Sequence, residues 1–301
     1  MKKTSIGGQA VIEGVMMKGP EDIAIAVRKP DGEIALKKEK LKSNRKNISK
    51  IPIIRGMHAF VDSMVIGVRA LSYSAEFFEE EEDVKEKKKP SKLDDFMEKN
   101  MIPIAVILSI AFSVGLFILL PTLAVSFIGT AVKIPLLMNL VEGIVRIIIF
   151  ISYIALISRM KDIKRVFEYH GAEHKSIFCY ENGEELTVEN VRKYKRLHPR
   201  CGTSFLFIVM IVSILLFSLF KWPNILVRLV TRIALLPIVA GISYEIIKWA
   251  GRSDSKLVCF VSAPGLWLQK ITTREPDDSQ IEVAITALKN VLVEDKDADL
   301  W

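Results

Sequence analysis

Ser204-Phe205-Leu206-Phe207-Ile208-Val209-Met210-Ile211-Val212-Ser213-Ile214-Leu215-Leu216-Phe217-Ser218-Leu219-Phe220 contains no charged residue. As a helix this run has no polar face to turn toward water, so lipid or protein must surround it on every side. At 1.5 Å per residue it reaches about 26 Å, close to the ~30 Å hydrocarbon core of a bilayer. Three further apolar runs match it, at 102–128 with Pro103 and Pro121 inside or at its ends, at 140–157, and at 225–247. The expected fold is therefore a mainly α membrane protein with about four transmembrane helices. Residues 101–250 form the membrane domain, and a polar insert at 159–203 separates the second span from the third.

Charge sets the expected orientation. The insert at 159–203 carries ten Lys and Arg, and six more lie between Lys85 and Lys99, just before the first span. The turn after that span has only Lys133. The positive-inside rule then puts both termini and the insert in the cytoplasm of a multi-pass inner-membrane protein. Lys221, Arg228 and Arg232 lie toward the opposite side and count against this, although long basic side chains can snorkel there. The net charge of +7 is assigned to topology and to anionic lipid headgroups, and no nucleic-acid partner is expected. The cysteines Cys179, Cys201 and Cys259 are odd in number and far apart, so no disulfide framework is implied. The first eight residues lack an apolar run, so no signal peptide is expected.

The flanking segments divide by pattern. Residues 1–50 read as a cytoplasmic β-rich segment: Ile23 to Arg28, the turn Lys29-Pro30-Asp31-Gly32, and Glu33 to Leu36 make a hairpin. Residues 51–78 read as an amphipathic helix, lying on the membrane or packed on the domain, with Ile54, His58, Val61, Val65, Val68 and Leu71 on one stripe, and His58 is expected to be structural there. Residues 79–100 are a charged linker. Residues 251–301 hold an apolar piece at 257–268, broken by Pro264-Gly265, and a last amphipathic helix from 277 with Ile281, Ile285 and Leu288 on one face. The apolar piece suits an interfacial or re-entrant segment. Glu142 and Arg146, four apart, are expected to pair.

Tyr169-His170-Gly171-Ala172-Glu173-His174-Lys175 lies in the insert and carries H-x-x-E-H. The spacing of Ile163, Val166, Phe167, His170, His174 and Ile177 predicts a helix, which puts both histidines on one packed face. Two imidazoles one turn apart can share a zinc-sized ion, and the same pattern is a peptidase signature in which Glu activates water. Two histidines hydrogen-bonded in a core are the plain alternative. His198 and Cys201 before the third span, and Glu245 near the end of the fourth, reach the same membrane face and are the further ligand candidates. The expected cofactor is Zn²⁺ or another divalent transition metal, with Glu173 as the catalytic base. A glutamate that orients a ligand histidine could not also serve freely as that base.

Gly8-Gln9-Ala10-Val11-Ile12-Glu13-Gly14-Val15-Met16-Met17-Lys18-Gly19-Pro20, Tyr169 to Lys175, His198-Pro199-Arg200-Cys201-Gly202-Thr203-Ser204-Phe205 and Gly241-Ile242-Ser243-Tyr244-Glu245 together resemble the YqhQ-like family. This is a bacterial group of membrane proteins carrying a domain of unknown function, and the resemblance covers nearly the whole chain. It implies a metal-dependent enzyme without an established reaction, with His170, Glu173, His174, His198 and Cys201 as its site. Three functional readings follow. The first is a metal-dependent hydrolase of peptidase type, with a membrane-protein partner or substrate. The second is a non-catalytic factor for membrane-protein assembly or translocation, or a scaffold. The third is a transporter, for which no inverted repeat speaks.

Overall fold

The computed structural model describes residues 3–41, 51–78, 92–128, 135–220, 224–252 and 255–293. The glycine-punctuated N-terminus forms a four-stranded antiparallel sheet in the order β1 (Gly7–Val11), β2 (Gly14–Lys18), β3 (Asp22–Arg28) and β4 (Ile34–Lys40). Val11 pairs with Gly14, so Ile12-Glu13 is a two-residue hairpin loop, and Glu13 takes the positive φ that such a loop demands. Gly32 does the same between β3 and β4, at the Pro-Asp-Gly turn.

The rest is helical: α1 (Ile54–Ala75), α2 (Lys92–Val114), α3 (Leu120–Ile128), α4 (Pro135–Ile157), α5 (Lys161–Glu181), α6 (Val188–Arg192), α7 (Gly202–Ser218), α8 (Ile225–Arg252), α9 (Lys256–Thr272) and α10 (Asp278–Lys289). Among the described residues three helices are long and apolar enough to cross a membrane, over Pro103–Val125, Leu137–Ile157 and Leu226–Arg252. The uncharged run that suggested a fourth is the 17-residue α7, apolar but shorter.

The chain divides into two units. The first comprises Met1–Phe77, Ile154–Ser213 and Leu235–Trp301. Its core lies between the sheet and two helices: Val15, Met17, Ala24 and Ala26 meet Tyr169 and Ala172 of α5 and Ile281, Ala284 and Leu288 of α10. Each buried branched side chain contributes about 1.5–3 kcal/mol. Asp277 and Gln280 form a capping box that fixes where α10 starts.

The stripe read on α1, with Ile54, Val61, Val65, Val68 and Leu71, is exposed, and within this unit the helix buries Gly56, Gly67, Ala70 and Ser74. Small residues win because they let backbones approach: a Cβ on Gly56 would stand 2.9 Å from the Cα of Gly241 in α8. The Ser74 hydroxyl accepts a hydrogen bond from the Ile12 amide at 3.2 Å. His58, expected to be structural, is more than half exposed and bonds Asp62 one turn on at 3.0 Å. The apolar piece at 257–268, read as broken, is continuous helix through Pro264. Gly265 holds α9 against Ser204 at the start of α7, where any side chain would collide.

The second unit comprises Phe78–Tyr153 and Ile214–Ala234. Here a π-turn, Gly115–Leu119, joins α2 to α3. Pro121 explains it, because a proline cannot bond the carbonyl four residues back and its ring pushes that carbonyl aside. That carbonyl belongs to Phe117, and it accepts from Arg146 Nε at 2.9 Å. The Glu142–Arg146 contact is present at 3.2 Å, but it is part of a larger cluster. Arg228 and Arg232 also bond Glu142, and the Thr122 hydroxyl donates to it at 2.9 Å. Arg228 and Arg232 are thus buried against a carboxylate and do not snorkel to an interface.

Candidate functional site

α5 carries the H-x-x-E-H stretch in its middle, and from Tyr169 to Ile177 every residue except His170 is buried. The segment after α9 crosses this helix at Gly171, where an added Cβ would strike the Arg274 carbonyl. The Arg274 amide bonds the Phe167 carbonyl at 2.8 Å. The glycine of the motif is therefore a crossing point, and the crossing brings the end of α9 over the first histidine.

His170 Nδ1 lies 2.9 Å from the Thr272 carbonyl. His174 Nδ1 likewise bonds the Arg196 carbonyl. A carbonyl only accepts, so each Nδ1 carries a proton, and Nε2 is the nitrogen of each ring that could bind a metal once it has lost its own. His170 Nε2 points at the Cys201 sulfur, 3.2 Å away. Ligand atoms from His170, His174 and Cys201 all lie within 4.8 Å of one another. Around one tetrahedral zinc, an imidazole nitrogen and a thiolate sulfur sit about 3.5 Å apart, so this donor set fits such an ion. Three protein ligands leave one coordination position open.

Cys201 sits just before α7, and its sulfur is 3.4 Å from the Thr203 amide and 3.2 Å from the Thr203 hydroxyl. Burial pushes its thiol up, but the charges and hydrogen bonds of His174 and His170 outweigh that and hold it well below the ordinary thiol value. Burial alone would lower His170. The Cys201 thiolate, followed by Glu173 and the Thr272 carbonyl, raises it to about 9. Glu173 is raised, chiefly by burial, against the pull of the two histidines. Neither imidazole uses Glu173 as its orienting partner, since both are held by backbone carbonyls.

The other two ligand candidates go elsewhere. His198 is buried beside the cluster, with its ring centroid 5.6 Å from that of His174. Its Nδ1 accepts from the Arg200 amide at 3.3 Å, and its Nε2 faces Glu181 at 3.5 Å. Glu181 is in turn bonded by Arg200 and by the Thr4 amide at 2.9 Å. The main chain of residue 198 is clamped by Gln269 of α9, with one bond each way at 2.8 Å. Glu245 pairs with Arg55 of α1. His170, His174 and Cys201 are thus brought together, while His198 supports from behind and Glu245 ties α1 to α8.

A cavity of about 660 Å³ opens beside the cluster, within the first unit. His170, Glu173, His174 and Cys201 line it together with the apolar Phe60, Met64, Phe205 and Ile247 and with Gly7 to Ala10 of β1. A family described as "Protein of unknown function (DUF1385)" matches residues 51–294. A curated relative, "Uncharacterized protein YqhQ" of Bacillus subtilis (strain 168), is 37% identical over 294 residues, which is 95% of this chain and 92% of the relative. The chain belongs to this family. No solved structure matches it. The family's matched region includes the α5 cluster, the Cys201 segment and Glu245, and stops short of β1 at its N-terminal end.

Three parts of the site carried no sequence signal. The carbonyls that orient the imidazoles belong to Thr272 and Arg196, and a backbone carbonyl leaves no mark on residue type. Glu181, seven residues beyond His174, looks like an ordinary helix-end carboxylate until His198 and Arg200 fold onto it.

Proposed function

We propose that this is a multi-pass inner-membrane protein whose cytoplasmic side carries a divalent transition-metal site, Zn²⁺ or a near relative, used for hydrolysis of peptidase type. One observation carries the reading: both imidazoles are fixed through Nδ1 by carbonyls, His170 Nε2 faces the Cys201 sulfur, and ligand atoms of His170, His174 and Cys201 lie within 4.8 Å of one another. Orientation of ligand histidines through the second nitrogen is the usual device of metal sites. His170, His174 and Cys201 would hold the ion. When bound, it would supply Lewis acidity, polarising a carbonyl and acidifying a water.

Glu173 does the proton work. It lines the cavity and orients no ligand, so its carboxylate can take a proton from an attacking water and give it to the leaving nitrogen. Burial raises its affinity for that proton. The apolar wall excludes bulk water from the reacting groups. Four spans, with α7 as the fourth, and cytoplasmic termini complete the reading. The exposed apolar stripe of α1 suits a helix lying against lipid.

Elemental analysis of the purified full chain tests the metal. Stoichiometric metal in the wild type and in Glu173→Gln, lost in His174→Ala, is expected; metal-free wild type would remove the reading. The 3.2 Å contact between Cys201 and His170 favours one other chemistry, a thiolate nucleophile with a histidine partner. Zinc that protects Cys201 from iodoacetamide supports the ligand role. Alkylation unaffected by zinc supports the nucleophile.

A further inference from the structure

The cavity beside the cluster is bounded by β1, and β1 is the outer strand of the sheet. Gly7, Gly8, Gln9 and Ala10 all line it. Neighbouring residues of a strand point to opposite faces, so a cavity touching four in succession runs along the edge itself. The hairpin register identifies what that edge offers. A two-residue loop makes Val11 and Gly14 a hydrogen-bonded pair, and pairs alternate, so Gly8 and Ala10 turn their amides and carbonyls outward. The Gly8 amide agrees, since it faces the Glu173 carboxylate and is not spent on β2. Gly7 and Gly8 are exposed. They put no side chain between the edge and the cavity.

We infer that β1 is a docking edge, and that the occupant is an extended polypeptide segment that adds to the sheet as a further strand and so crosses the His170–His174–Cys201 cluster. This rests on the proposed hydrolytic reading and supplies its substrate class. The Gly8 carbonyl and the Ala10 amide and carbonyl can recognise another backbone, the Gly8 amide being held by Glu173, and strand addition at a sheet edge is a general mode of peptide capture. An acyl chain would leave those groups unsatisfied. β1 is five residues long, so it engages a segment of similar length. Gly8 sets the register: a Cβ there would stand 3.0 Å from Glu173 Cδ, so the peptide bond opposite Gly8 lies beside the catalytic carboxylate. The apolar wall of Phe60, Met64, Phe205 and Ile247 takes alternate side chains. That wall selects aliphatic or aromatic residues at every second position, as the membrane-proximal stretch of a membrane protein would present.

The test uses full-length Glu173→Gln protein in detergent, with a fluorescein-labelled decapeptide library bearing Leu, Val or Phe at alternate positions. Binding is read by anisotropy, and the best-retained peptide is then N-methylated one residue at a time. Strand addition predicts a period of two, with at least tenfold weaker binding for methylation at alternate residues and little change between them. Ala10→Pro, which removes an outward amide and leaves the ladder intact, should weaken binding at least tenfold while keeping the wild-type melting temperature and metal content. Oleate should not displace the peptide. No retained peptide, equal loss at every methylated position, or displacement by oleate with no effect of Ala10→Pro would each overturn the inference. Metal bound without peptide would fail the docking edge alone, and peptide retained by metal-free wild type would fail the metal reading alone.

Discussion

Glu181 shows how far a single residue can organise the site without touching its chemistry. Its carboxylate is fully buried and receives Arg200, the Thr4 amide and the Nε2 edge of His198. Burial opposes its ionisation, but those partners prevail and hold it below the ordinary carboxylate range. Its folded pKa therefore lies below the unfolded value of about 4.3. The stability it contributes is present above that value and is lost as pH falls through the folded one. Glu181→Gln should leave Arg200 buried with no counter-charge and cost about 3–5 kcal/mol. It should also flatten the acid limb of stability. Melting temperature against pH for both proteins in detergent checks this, and equal acid sensitivity would show that Glu181 is not the titrating group. Residue type alone revealed the i, i+4 histidines and Cys201. It could not separate His198 from the ligands, because that separation depends on which nitrogen the Arg200 amide and Glu181 occupy.

At the scale of elements, the crossing over α5 links packing to the geometry of the proposed metal site. Gly171 lies under the Arg274 carbonyl, and the same segment carries the carbonyl of Thr272 that orients His170. Alanine is the better helix former, so Gly171→Ala should keep α5 helical. Its methyl should push the crossing segment outward and loosen His170, lowering metal affinity by about 10–100-fold without altering any ligand. Circular dichroism together with a competitive zinc titration distinguishes this from simple unfolding. Unchanged affinity would mean that Thr272 does not set the imidazole. The periodicity of 163–177 was enough to place α5, and the Pro-Asp-Gly turn enough to place β3 and β4. It also marked the apolar stripe of α1, which faces outward. Periodicity reports that a face is apolar and does not say whether protein or lipid covers it. The packed face of α1 is made of glycine, alanine and serine, which hydropathy barely registers.

For the whole molecule, the arginines of the second unit bear on orientation. Counted as exposed charges, Arg228 and Arg232 argue against placing the start of α8 outside. Buried on Glu142, they are already balanced in part within the protein, so they carry little weight in a rule that concerns charges in the flanking loops. The excess at 159–203 then governs the proposed orientation, with both termini on the cytoplasmic side. Glu142→Gln would strip the cluster of its carboxylate and leave Arg146, Arg228 and Arg232 facing one another, at a cost of about 3–5 kcal/mol. Reduced yield and a lower melting temperature in detergent would report that loss, and a wild-type melt would show that the cluster is not held by Glu142. Orientation itself is read by fusions to the full chain. Green fluorescent protein joined after Trp301 or inserted at Gly183 should fluoresce, and alkaline phosphatase inserted between residues 129 and 134 or at residue 222 should be active. Active phosphatase at Gly183 would place the α5 cluster outside the cell, and a fluorescent C-terminus in the same protein would then require an odd number of crossings between them, which α7 and α8 alone could not supply.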